Sequence, residues 1–239
     1  MKKALFILVA SIGLLSSCNL IEGKRIKGNG VMKTEERTVA EFTGVASHGS
    51  FDVIVSNGTS GLKIEAEENV LPYIETSVEN GILHIRTKDG YWISSKQDGK
   101  IYVTASVLNS IKSFGSGNIT GSSKITAPAK LELKVTGSAD IDLELDAPEV
   151  EGEITGSGNM NVRGETKKFT GIIAGSGDIK AYDLKSEETT VKISGSGNAD
   201  VFASVKLEVK VAGSGDVNYK GGAEVSSSIA GSGTVKKVD

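Results

Sequence analysis

Six positions in this chain carry carboxylates or amides at a spacing that could do chemistry. Asn118, Asp140, Asn159, Asp178, Asn198 and Asp216 each stand directly after a Gly-Ser-Gly or Gly-Ser-Ala tripeptide. Three carboxylates in such a series could bind Ca²⁺, which takes six or more oxygens converging on one point. They could also work as an acid pair on a sugar, since inverting glycosidases hold their carboxyls roughly 6.5 to 9.5 Å apart. The order of the residues favours a third role. Asn and Asp alternate without an error, and in a stack of parallel strands about 4.8 Å apart an amide can donate to the carboxylate beside it, whereas two carboxylates repel. Alternation keeps each Asp about 10 Å from the next, roughly a screening length. These six residues are therefore read as a structural ladder, with no catalytic role, no metal and no cofactor expected.

The elements that must position such a ladder are legible around it. The corner glycine recurs at Gly115, Gly137, Gly156, Gly175, Gly195, Gly213 and Gly231, at intervals of 22, 19, 19, 20, 18 and 18 residues. A period near 20 residues marks a stacked repeat, in which each unit buries its apolar side against its neighbours. Ahead of each corner runs an alternating segment such as Leu131-Glu132-Leu133-Lys134-Val135. A second alternation follows, as in Asp140-Ile141-Asp142-Leu143. Period-two patterning means strands with one buried face. An antiparallel meander would give no reason for the Asn/Asp order, so a parallel solenoid is expected, right-handed by the general rule for parallel crossovers. The fold class is all-β: a right-handed parallel β-helix with rungs of 18–22 residues over 115–239, preceded by an irregular β cap over 31–114.

Composition agrees with repeats. The 239 residues include 30 glycines and three prolines, with 5% aromatics and a net charge of −3. A near-neutral chain with no basic run argues against nucleic acid as a partner. Lys2 and Lys3 precede a largely apolar run from Ala4 to Leu15, which is too short to span a bilayer and suits a signal-peptide core. Leu15-Ser16-Ser17-Cys18 resembles the lipobox of bacterial lipoproteins, in which the cysteine is acylated and becomes the first mature residue. Cys18 is the only cysteine, so no intrachain disulfide competes for it. Residues 1–17 are thus expected as a leader and 18–30 as a tether to a membrane, the outer membrane being the expected location within the cell envelope.

Within 31–114, the stretch from Val45 to Val55 reads as a degenerate repeat with Asp52 in the Asn/Asp column. About three longer rungs, with excursions, would fit between Gly49 and Gly115. Asn80-Gly81 between Ser77-Val78 and Ile82-Leu83 is a hairpin signal, and 69–74 has room for one helical turn. Arg37 to Val45, Gly49-Ser50-Phe51-Asp52-Val53, the hairpin with Leu83-His84-Ile85, and Leu108-Asn109-Ser110-Ile111 running into Gly115-Ser116-Gly117-Asn118 together resemble the family described as "putative autotransporter adhesin, head GIN domain". The likeness covers roughly residues 31 to 235. It implies a β-helical fold, an envelope location and adhesion, and it supplies no catalytic motif.

Other motifs carry less. The Gly-Ser-Gly corners lead into strands, unlike phosphate loops, which lead into a helix N-terminus. His48 and His84 offer no metal spacing, and His84 is expected on a solvated strand face. Tyr91 and Trp92, in an otherwise polar loop over 88–99, could stack on a sugar or anchor a partner. The plainer expectation is that Trp92 folds back to cap the first rungs. Lys237 falls where earlier rungs place Leu143, Val162 and Val201, so a charge at an inward position is expected to guard the last strand edge. The function expected is a non-catalytic, lipid-anchored surface protein with a glycan or matrix protein as partner. The alternative is a polysaccharide-active enzyme like the pectin-degrading β-helices, although its clustered Asp, Lys or Arg are not seen here.

Overall fold

The computed structural model describes residues 23–239, so the expected leader and Cys18 lie outside the described residues. The alternating segments form strands that pair in parallel with their counterparts one repeat away, giving a β-solenoid of about 7 turns. Register follows the glycine corners: Gly137 pairs with Gly115 and Gly156, and Gly175 with Gly156 and Gly195.

Glycine is required there. Gly175 has φ +136°, and a Cβ on it would stand 2.2 Å from the carbonyl oxygen of Gly156 in the rung beneath. That carbonyl accepts the N–H groups of Ser176 and Gly177 at 2.9 and 3.2 Å, so the corner turns and pairs with its neighbour at once. Counting from the corner, every second side chain points inward. Val135, Ile154, Ile173, Ile193 and Val211 make one buried column, and Ile119, Ile141, Met160, Ile179, Ala199 and Val217 another. Two rungs put glycine at an inward position, Gly152 and Gly171. Met160 and the buried Phe169 fill that space, since a Cβ on Gly152 would lie 2.6 Å from the Met160 sulfur.

The N-terminal region is built from β1 (Lys24–Lys27), β2 (Met32–Arg37), β3 (Gly44–Gly49), β4 (Asp52–Asn57) and β5 (Gly61–Glu67). After a 3₁₀ turn at Leu71–Tyr73 come β6 (Ile74–Glu79), β7 (Ile82–Thr87), β8 (Tyr91–Ser94), β9 (Lys100–Ala105) and β10 (Ser110–Gly115). The hairpin at Asn80-Gly81 is present, with both residues at positive φ (53° and 76°), as a two-residue turn between twisted strands needs.

One expectation about this region is overturned. No rungs separate Gly49 from Gly115; β3 pairs directly with β10, and Gly49 lies opposite Gly115. The intervening chain leaves the stack and returns to lay β7 against β3 and β9 against β4 on their outer side. The first rung in space is therefore made by residues later in sequence than the second. Antiparallel strands then close this end: β6 covers β7, β5 covers β9 and β2 covers β5. The segment 18–30 also differs from a plain tether, because its residues 24–27 form β1, which pairs in parallel with β8 and buries Ile26.

Candidate functional site

The Asn/Asp column forms a continuous ladder along the outside of the solenoid. Asp52 Oδ1 accepts the backbone N–H of Asn118 at 2.9 Å, and Asn118 Oδ1 accepts that of Asp140 at 2.9 Å. The relay continues through Asn159, Asp178, Asn198 and Asp216 to Thr234, each side chain receiving the N–H one rung on. The amides also donate as expected: Asn159 Nδ2 to Asp140 Oδ1 at 2.9 Å and Asn198 Nδ2 to Asp178 Oδ1 at 3.0 Å. Carboxylate and amide share one geometry as acceptors, and only the amide can give a proton to the neighbour below. Among the described residues no cluster of three or more metal-ligating side chains converges on a point.

Two residues after the ladder runs a second outward column, Asp142, Asn161, Lys180, Asp200, Asn218 and Lys236. Asn161 and Asn218 donate to Asp142 and Asp200 at 2.9 and 3.0 Å. Between the two columns lies a polar groove of about 320 Å³, lined by Asp178, Lys180, Asn198, Asp200, Asp216 and Asn218. Burial first, and then a hydrogen bond with Asp200, push the phenol of neighbouring Tyr182 up to about 12.

A third column escaped the sequence reading. Lys130, Glu149, Lys168, Glu188, Lys206 and Glu224 pair in register from rung to rung. Lys130–Glu149 and Lys168–Glu188 approach to 3.8 Å. Each stands seven residues before its corner glycine, and aligning the repeats on that glycine finds the alternation.

Tyr91 and Trp92 sit in strand β8 rather than in a loop. Tyr91 packs on Tyr73 with ring centroids 4.7 Å apart. Trp92 is 43% exposed, donates its indole N–H to Gly23 at 3.1 Å, and lies under the Arg25 guanidinium at 4.8 Å. The plainer expectation, that Trp92 folds back over the first rungs, thus describes Tyr91 better. The structure does not bring this pair together with the ladder groove.

His84 faces outward, away from buried Leu83 and Ile85, and is half-buried there because the two histidines meet. His48 Nε2 and His84 Nδ1 are 3.2 Å apart, and the His48 ring stacks on Phe114 at 4.9 Å. Burial, with His84 and Arg86 nearby, lowers the His48 pKa from its usual 6.5. The contact spans three strands, β7, β3 and β10, which adjoin only because the first rung is laid down out of order.

The family described as "Putative auto-transporter adhesin, head GIN domain" matches residues 41–223. The chain belongs to this family. Its fold is similar to a solved putative adhesin from Bacteroides fragilis NCTC 9343, at a TM-score of 0.85 and 22% identity, over 89% of this chain and 100% of that one. Two solved proteins of Parabacteroides distasonis ATCC 8503 are each 28% identical over 90% of this chain and 100% of theirs. One is described as a putative lipid binding protein (TM-score 0.76) and the other as a putative adhesin (TM-score 0.73). No curated protein matches the chain. Membership of the GIN-domain family makes this an adhesin-like protein of the cell surface or envelope.

Proposed function

We propose that this GIN-domain protein is a lipid-anchored, non-catalytic adhesin whose solenoid presents repeating polar columns to a glycan or matrix protein at the cell envelope. The observation that carries the reading is the commitment of the ladder. Its Asp Oδ1 atoms are already taken by backbone N–H groups from the next rung, and by Asn amides or the Thr234 hydroxyl at three of the rungs. Carboxylates held this way fix a rigid surface and are poorly placed to pass protons to a substrate. A groove flanked by columns that repeat at rung spacing suits a ligand that also repeats, as a polysaccharide does.

The anchor is Cys18, in Leu15-Ser16-Ser17-Cys18. Replacing it, Cys18→Ser, is expected to release the protein from membranes into the soluble fraction; unchanged membrane association would remove the lipoprotein reading. Ligand class is tested by screening the purified protein on arrays of glycans and matrix proteins, with product analysis on the bound glycans. Binding without products supports the adhesin. Shortened glycans would establish the polysaccharide-active alternative.

A further inference from the structure

The ribbon of β1 and β8 carries two faces. Ile26 pairs with Ile93 and both pack inward, beside Tyr91 on Tyr73. Arg25, Lys27, Trp92 and Ser94 share the opposite face, where Arg25 donates to the Ser94 hydroxyl at 2.8 Å and covers the indole. Among the described residues of the ribbon no carboxylate stands on that face. Lys24, Arg25 and Lys27 make no ion pair with another described residue. Two acids of the cap that bond the chain leaving β1 are engaged: buried Glu67 accepts the N–H groups of Gly30 and Lys96, and Glu68 accepts from the Asn29 amide. The flanking turns carry two lysines, Lys88 and Lys96, and two aspartates, Asp89 and Asp98, so they add no net formal charge.

Exposed apolar side chains gather at the same end. Of the five large hydrophobics left exposed among the described residues, Val31 (53%), Met32 (44%) and Trp92 (43%) lie on the segment continuing β1 or on the strand that pairs with it. The ribbon is held firmly. A Cβ on Gly28 would collide with the Glu67 carboxylate, so that glycine and that acid lock the chain leaving β1 against the cap.

We propose that this face is a membrane-docking surface, with Arg25, Lys27 and Trp92 seated in the headgroup layer of an anionic bilayer. Tryptophan with its N–H satisfied and its ring exposed suits the bilayer interface, and arginine and lysine add attraction to anionic headgroups. The proposal rests on the lipoprotein reading for proximity. Cys18 lies six residues before Lys24, so an acyl chain there would hold β1 within about 20 Å of the bilayer. At that effective concentration a weak interfacial contact becomes occupied. Docking would fix the solenoid's orientation and turn its opposite end away from the membrane.

Trp92 is the only tryptophan in the chain, so its fluorescence reports this face alone. The membrane-extracted protein would be reconstituted into vesicles of phosphatidylcholine with or without phosphatidylglycerol, using brominated acyl chains as quenchers. The mass of the Cys18 peptide and flotation with vesicles report the anchor separately. The expected result is a blue-shifted emission, quenched by brominated lipid on phosphatidylglycerol vesicles, weakened by salt, and lost in Lys27→Glu and in Arg25→Glu with circular dichroism unchanged. An acylated protein that floats while Trp92 stays unquenched overturns the docking and leaves the anchor standing. Quenching indifferent to both charge reversals also overturns it. Quenching without acylation supports the docking and removes the anchor; neither signal removes both.

Discussion

At the scale of single residues, the ladder works because Asn and Asp are equivalent acceptors and unequal donors. In Asn159→Asp the new carboxylate could still accept the Asp178 N–H, but the donor to Asp140 would be lost. Three carboxylates would then occupy successive rungs. Their mutual repulsion disfavours the charged folded state, so the penalty is full at neutral pH and fades as acid neutralises the carboxylates. A loss of about 1–3 kcal/mol at pH 7 and low salt is expected in denaturant titrations. An unchanged midpoint would mean that these side chains do not stack. This ladder was legible because it sits at a fixed offset from a recurring glycine. The histidine pair was not, because His48 and His84 belong to rungs whose spatial order departs from sequence order. His48 also has a pH signature. Its folded pKa lies below 6.5, so on acidification the unfolded chain takes up the proton first. Stability should fall as pH drops through about 6.5 and level once the folded imidazole also protonates. His48→Gln should flatten that part of the curve; an equal slope in the variant would assign it to another group.

At the scale of the element, each rung depends on a corner that brings one backbone against the next. Gly175→Ala would force a Cβ to 2.2 Å from the Gly156 oxygen at a φ of +136°. The corner would have to open and lose the paired hydrogen bonds from Ser176 and Gly177. A loss of about 3 kcal/mol or more is expected by thermal or denaturant unfolding; a shift below about 0.5 kcal/mol would show that the corner adapts. The same repetition that made strands and corners readable hid the Lys/Glu column, since it lies in the variable return where only alignment on the glycine exposes it. The ribbon of β1 and β8 was harder still. Lys24 to Lys27 holds one apolar residue among three cations, and only pairing with Tyr91 to Ser94, 67 positions away in register, makes it a strand.

At the scale of the molecule, the two ends of the solenoid are not alike. Antiparallel β2, β5 and β6 close the first rungs, a direction change that prevents further parallel addition. At the other end, no described strand pairs with the outer edge of Glu224–Gly231 or Val235–Lys237. The inward columns run out there in half-buried Val225 and Val235 and in Ile229, which is 39% exposed. Lys237 pairs with Tyr219 in the column that earlier holds Leu143, Val162 and Val201, as the repeat spacing implies. A charge at that inward position opposes burial of the edge against another molecule. Lys237→Val removes the charge and keeps the strand pattern, so association through this end is expected. Because the opposite end finishes in antiparallel strands, it offers no parallel rung to continue, and the expected contact joins two like ends about a two-fold axis. The expected product is a discrete dimer at micromolar concentration, seen by size-exclusion chromatography with light scattering, beside a smaller parent. Equal small masses for both proteins would show that Lys237 guards nothing, and an open series of larger species would show that the antiparallel cap does not close its end.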